Sequence, residues 1–247
     1  MPTALDEGIC IRHWDFSETS QTVSLFGRAL GVVRGLAKGA RRERGAFDGG
    51  IDLLSRGEFG AIVRPGKELA TLTEWDLLEV YPRLRTDLSA NRAAFYMADL
   101  VGRMLAAEDP HPSLFDRMVG ALRTIGAARG AGEPAPDGAL ALLGFQWALL
   151  VETGHRPDLE SASGDPDVLV FQPSEGMFVA AVPAPAGSWK VRRSTVDALR
   201  AIDAGQAVLD PEAIHRCNRF VAACIRHVLG TEPPTMAAVF GTTPAGA

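Results

Sequence analysis

Cysteine is scarce in this chain, with only Cys10, Cys217 and Cys224 among 247 residues. An odd, sparse set without framework spacing excludes a disulfide-stapled scaffold and points to a reducing compartment. Long apolar runs are missing too. None approaches the ~20 residues that span a bilayer, so no membrane partner is expected. The opening stretch MPTALDEGIC has acidic residues and no apolar segment, so it does not read as a secretory signal, and the expected location is cytoplasmic. Nucleophile and phosphate-loop signatures are absent: there is no G-x-S-x-G, no Walker loop and no H-E-x-x-H. With five histidines and no triad context, the chain is not expected to be an enzyme. Net positive charge is lacking as well. The formal balance is −5, which opposes indiscriminate nucleic-acid binding unless cations cluster locally.

They do cluster. Between residues 28 and 44 lie Arg28, Arg34, Lys38, Arg41, Arg42 and Arg44 against Glu43 alone, a local balance of +5. Residues 1–80 as a whole carry ten basic and twelve acidic side chains, so this is a basic patch on an acidic background. Within it, Arg34-Gly-Leu-Ala-Lys38-Gly-Ala-Arg41-Arg42-Glu-Arg44-Gly45 reads as a strand end followed by a glycine-hinged cationic loop. Guanidinium forks grip phosphate oxygens at two points, and glycines let backbone approach closely. Lys38, Arg41, Arg42 and Arg44 are therefore the candidate DNA contacts, with Arg34 and Arg28 dependent on strand facing. The competing reading is a merely solvated loop.

To about residue 80 the pattern is short and β-like. Candidate strands are Gly8–Trp14, Thr22–Phe26, Leu30–Ala37, Ile51–Leu54, Phe59–Val63 and Leu69–Val80, with Arg64-Pro-Gly-Lys67 as a turn. The number and spacing of these strands fit a small barrel or sandwich, and an SH3-like barrel and an OB-fold both suit the count. Beyond Tyr81-Pro82 the period becomes helical. Helices are expected over Leu84–Ala107, Pro112–Ala128 and the almost wholly apolar Gly138–Thr153, with a loop over Arg129–Asp137. Prolines and glycines then break up residues 154–193, leaving β-like pieces at Val168–Phe171 and Met177–Val182. Two helices follow, the first capped by Ser194 or Thr195 and the second spanning Pro211–Leu229 behind Asp210, with a frayed tail after Gly230. The expected class is α+β: a barrel domain over 1–80 and a helical domain over 81–247 with an irregular β-containing insert at about 154–193.

Two arrangements suggest metal and fail on geometry. His215, Cys217, Cys224 and His227 fall on one helix, where His215 lies nearly opposite the cysteines, so one ion cannot take all four. The cysteines then read as core. Glu152 and His155 form an E-x-x-H pair without the second pair that di-iron bundles need. Tyr96 and Trp147 have core periodicity and read as packing residues. No metal or other cofactor is expected.

The order of several segments adds a resemblance. V-V-R-G-L-A-K-G-A-R-R (Val32–Arg42) resembles the end of the third barrel strand in the RecO family of DNA-repair proteins. Leu84-Arg-Thr-Asp-Leu88, Ala94-Phe-Tyr96 and Asp99-Leu100 are similar to its first long helix, and Pro110-His-Pro-Ser-Leu-Phe115 to its helix junction. Phe145 through Leu150, then Gly154-His-Arg-Pro157-Asp-Leu159, resembles the helix before its zinc module. The resemblance implies an OB-fold and a helical domain without catalytic residues, in a bacterial, nucleoid-associated protein. It further implies binding of single- and double-stranded DNA, strand annealing and help in loading recombinase onto coated strands. The implied partners are a RecR-type mediator and the acidic tail of single-strand-binding protein. Arg92, Arg103, Arg117 and Arg123 are candidate cations for that tail. Many relatives carry four zinc-binding cysteines after the Pro-x-Leu element, whereas here residues 160–193 hold none. The alternative function is a protein-interaction adaptor whose barrel has lost DNA binding.

Overall fold

A computed structural model describes residues 2–42, 45–47, 49–64, 66–127, 138–164, 166–180, 183–208 and 210–241. The chain packs as two compact units, Met1–Pro136 and Asp137–Ala247.

In the first unit five strands close a barrel in the order β1-β2-β3-β5-β4: β1 Ala4–Asp15, β2 Gln21–Gly27, β3 Gly31–Ala37, β4 Arg56–Ile62 and β5 Ala70–Glu79. Closure rests on β1. Its first half pairs with β4, from Ala4↔Ala61 to Ile9↔Arg56, and its second half with β2, as far as Asp15↔Gln21. A bulge between Cys10 and Arg12 bends the strand where it changes partner. A short parallel pairing of β3 with β5, Gly35↔Ala70 to Ala37↔Leu72, completes the ring. That Greek-key closure makes the barrel an OB-fold and resolves the ambiguity left by strand count. The interior is packed by Val23, Leu25, Val33, Phe59, Leu72 and Trp75.

The apolar run Ile51–Leu54 is not a strand. It is a turn that seals the barrel, because its backbone donors have partners other than a ladder. Ile51 N donates to Gln21 Oε1 at 3.0 Å, and Leu54 N donates to Cys10 O at 2.8 Å. The expected helix over Leu84–Ala107 is likewise divided. A 3₁₀ turn at Pro82–Arg85 precedes α1, Leu88–Met104, because the Asp87 carboxylate accepts from Ser89 N and Ala90 N and so sets a new helix start. Helix α2, Pro112–Gly126, begins on proline, whose missing N–H costs nothing at that position. Both helices pack in the unit that holds the barrel. Phe26 of β2 meets Phe115 of α2 edge-on at 5.6 Å, and Arg12 of β1 donates to Asp99 of α1 at 2.6 Å. Packing therefore divides the chain well beyond the end of β5, where the sequence changes period. The expected loop at 129–137 lies outside the described residues.

The second unit pairs α3, Gly138–Glu152, with α5, Pro211–Leu229. A buried polar contact links them, with Gln146 Nε2 donating to Asn218 Oδ1 at 2.7 Å. The Asp210 cap and Pro211 start α5 as the sequence predicts, and Gly230 at φ 67° ends it. Beside them lies a three-stranded sheet of order β7-β6-β8: β6 Val168–Gln172, β7 Met177–Val179 and β8 Trp189–Arg192. Ala181 and Val182, the end of the expected second β piece, lie outside the described residues. Two readings of this region need correction. Helix α4, Arg193–Asp203, starts at Arg192 without a side-chain cap, and Thr195 is buried inside it. Past Gly230, where a partly frayed tail is expected, the chain forms α6, Pro234–Phe240, and residues 242–247 lie outside the described residues.

Candidate nucleic-acid interface

The basic loop leaves β3 at Ala37, a barrel-core residue, and Ala40 returns to that core. Between them Gly39 takes φ +69°, a left-handed turn that glycine adopts without steric cost. The loop is fastened to the β1–β2 turn. Gly39 N donates to Ser20 Oγ at 3.2 Å, Arg41 N donates to Thr19 O at 3.1 Å, and the Arg41 guanidinium pairs with Asp15. Lys38, Arg41 and Arg42 thus stand together on a fixed corner, all exposed. Lys38 and Arg42 make no ion pair among the described residues, so both ammonium and guanidinium are free for an anion.

Arg34 sits on the outer face of β3, opposite Ser24, exposed and also without an ion pair among the described residues. Arg28 stands apart, at the far end of β3, roughly 20 Å from Lys38 by strand rise. It is committed elsewhere: its Nε and Nη2 each donate to a carboxylate oxygen of Asp116, both at 2.8 Å. That fork pulls the Asp116 carboxyl below its ordinary range and raises the Arg28 guanidinium. Arg44 lies outside the described residues.

Sequence reasoning passed over two further cations. Arg64 and Lys67, exposed in the β4–β5 turn, precede the strand whose first residue pairs with Gly35, next to Arg34. The motif Arg64-Pro-Gly-Lys67 was legible as a turn, but only the parallel β3–β5 pairing brings it beside the basic strand. The strand 2–3 face and the loops joining strands 1–2 and 4–5 are the surfaces on which OB-folds take oligonucleotides. Lys38, Arg41, Arg42, Arg34, Arg64 and Lys67 surround that surface.

Comparison with known proteins agrees with this architecture. Residues 1–81 match the family described as Recombination protein O N terminal, and residues 85–237 match Recombination protein O C terminal. The chain belongs to the RecO family. A DNA repair protein RecO from Rhodopirellula baltica is 38% identical over 149 residues, 60% of this chain and 53% of that protein. One from Geobacter sulfurreducens is 36% identical over 113 residues, 46% of each chain. One from Anaeromyxobacter is 27% identical over 238 residues, 90% of each. The matched segments thus span about half the length of the first two relatives and most of the third.

The zinc module of many RecO proteins does not suit the residues present here. Cys217 and Cys224 are buried on α5, where burial pushes both thiols up to about 12, far from the thiolate a metal requires. Cys217 Sγ lies 3.5 Å from Thr195 O, and His215 and His227 are exposed. Among the described residues no group of three or more His, Cys, Asp or Glu is arranged to hold an ion. At the corresponding place in the chain the sheet packs through aromatic rings. Phe171 meets Phe178 at 5.0 Å, Trp189 at 5.7 Å and Phe220 of α5 at 5.1 Å. Tyr96 and Trp147 are buried packing residues, and Glu152 and His155 are exposed.

The second unit has an apolar groove of about 580 Å³ between β8, α5 and α6, with Val191, Phe220 and Met236 among its apolar lining. Lys190, Arg192 and Arg219 line it exposed, while Arg216 and Arg226 are bound to Glu212 and Glu232. The four arginines named from sequence for an acidic partner lie in the first unit. Arg92 and Arg117 are exposed, whereas Arg103 pairs with Asp99 and Arg123 with Glu79, each at 2.9 Å. No described helix is long and apolar enough to cross a membrane.

Proposed function

We propose that this RecO protein is a recombination mediator. It binds single- and double-stranded DNA on its barrel, promotes annealing of complementary strands and helps load recombinase onto coated single strands. The observation that carries this reading is the fixed corner formed by Lys38, Arg41 and Arg42, continued by Arg34 along β3. Its chemistry is electrostatic. Cations that displace counterions from two phosphate backbones hold both strands at one surface and lower their mutual repulsion, which is what pairing requires. No covalent step is asked of the protein.

A RecR-type mediator and the acidic tail of single-strand-binding protein are the proposed protein partners. The β8–α5–α6 groove, apolar inside and cationic at Lys190, Arg192 and Arg219, has the chemistry to take an acidic peptide ending in apolar residues. The adaptor reading keeps one observation in its favour: Arg28 and Arg41 are already neutralised by Asp116 and Asp15.

Titration of the full chain with single-stranded and duplex oligonucleotides across a salt series separates the two readings. The mediator reading expects log affinity to fall linearly with log salt on both substrates, with little dependence on base sequence. Absence of salt-dependent binding to either substrate, with the acidic tail peptide still bound, would favour the adaptor.

A further inference from the structure

Trp14 and Phe16 are large aromatic residues that water reaches, 46% and 63% exposed, although a barrel of this size has every reason to bury its rings. Trp75, by contrast, is 2% exposed within the core. Exposed aromatics on a folded domain are informative when they share a surface with something that defines a ligand. These two do.

Strand register fixes where Trp14 stands. It pairs with Thr22, and Thr22 pairs with Leu36, so the three share the outer face of β1–β2–β3. Arg34, two residues before Leu36, points to that same face. The intervening positions face the core: His13 pairs with Val23, and Val23 with Gly35. Phe16 opens the turn that follows, and that turn is self-braced, with Phe16 N donating to Ser20 O at 2.9 Å and Ser20 N donating to Ser17 Oγ at 3.2 Å. This is the turn to which the basic loop is fastened through Thr19, Ser20 and Asp15. Two rings and the exposed cations Lys38 and Arg42, which make no ion pair among the described residues, therefore occupy one braced corner, with Arg34 beside them on the strand face.

We propose that Trp14 and Phe16 are stacking platforms for the bases of a single strand whose phosphates follow Lys38, Arg42 and Arg34. The proposal rests on the DNA-binding reading and specifies its substrate. Single-strand sites pair a cationic track with rings on which successive bases stack, and stacking tolerates any sequence because every base has a π-face. A duplex keeps its bases stacked on each other and offers this corner only phosphates. The corner thus provides a grip on unpaired bases that is released as they enter a helix, the order of events that annealing needs.

The test compares an oligothymidine with an abasic oligomer of the same length, which has the same phosphates but no rings. The full-length protein should bind the oligothymidine more tightly, with quenching of tryptophan fluorescence, and the same salt slope should hold for both. Trp14→Ala with Phe16→Ala should reduce oligothymidine affinity by roughly tenfold or more, bring it to the abasic value, and leave the salt slope unchanged. Should the double variant fold poorly, Phe16→Ala alone, in an exposed turn, should lose part of the preference. Trp14→Phe, which keeps a ring, should retain most of it. A preference for bases that survives ring removal, or no preference in the unaltered protein, overturns the proposal. If neither oligomer binds in a salt-dependent way, the DNA-binding reading fails with it, and that outcome is distinct from a salt-dependent affinity indifferent to bases.

Discussion

Asp87 shows how much one side chain determines in this fold. Its carboxylate takes the Ser89 hydroxyl at 2.6 Å, the Ala90 N–H at 3.0 Å and the Arg83 guanidinium at 2.5 Å. These bonds hold it far below the ordinary carboxylate range, the Ser89 hydroxyl contributing most. A folded-state value below the unfolded one means stabilisation that is present above the unfolded value, near 4, and lost as pH falls towards the folded one. Asp87→Ala should therefore cost about 1 kcal/mol at neutral pH, the usual worth of an N-cap. Urea unfolding of both proteins at pH 7 and pH 3 should show the gap narrowing in acid, and an equal gap at both values would contradict this role. The cysteines were legible from sequence in the same physical terms. Helical spacing alone excluded a four-ligand site on α5, and both thiols are buried in the core. The capping of α4 was not legible, because Ser194 and Thr195 look like caps in one dimension while tertiary packing claims Thr195 for the interior.

Among the elements, the β2–β3 turn links the barrel to its helices. Gly31 takes φ +70°, and a side chain there would stand 2.4 Å from the Asp109 carbonyl oxygen. Glu108 N donates to Val32 O at 3.1 Å across the same junction. Gly31→Ala should destabilise the protein by about 1–2 kcal/mol from backbone handedness alone, with the close approach adding to it. Thermal unfolding at neutral pH measures this, and a melting temperature equal to that of the unaltered protein would show that the junction yields freely. Strands with clean alternation and helices with a cap or proline start were readable from sequence. Ile51–Leu54 misled because an apolar run looks the same whether it pairs in a ladder or seals a barrel end through Gln21 and Cys10. Strand β8 went unread because its four residues lie between a proline-rich stretch and a helix start, too short for a period to register. Helix α6 was missed behind Pro233-Pro234, a pair that stops one helix but begins another.

For the whole molecule, net charge is a poor guide to function. A chain at −5 presents Lys38, Arg42 and Arg34 on its barrel without an ion pair among the described residues, while Arg28 and Arg41 of the same basic stretch are held by acids. The basic stretch over residues 28–44 was legible as a cluster. Its partition into free and engaged cations was not, because Asp116 lies 88 residues from Arg28 and Asp15 lies 26 from Arg41. Arg64, Lys67, Trp14 and Phe16 joined the surface only through register, which no local pattern encodes.

The central claim, that free cations on the barrel grip DNA phosphates, is tested most directly by the salt dependence of a triple variant. Arg34→Ala, Lys38→Ala and Arg42→Ala together remove three exposed charges without disturbing the core, so folding should survive. If each neutralises one phosphate, the slope of log affinity against log salt on single strands should flatten by roughly two units. Affinity should fall alike for all base sequences. A folded triple variant with the affinity and salt slope of the unaltered protein would contradict the account.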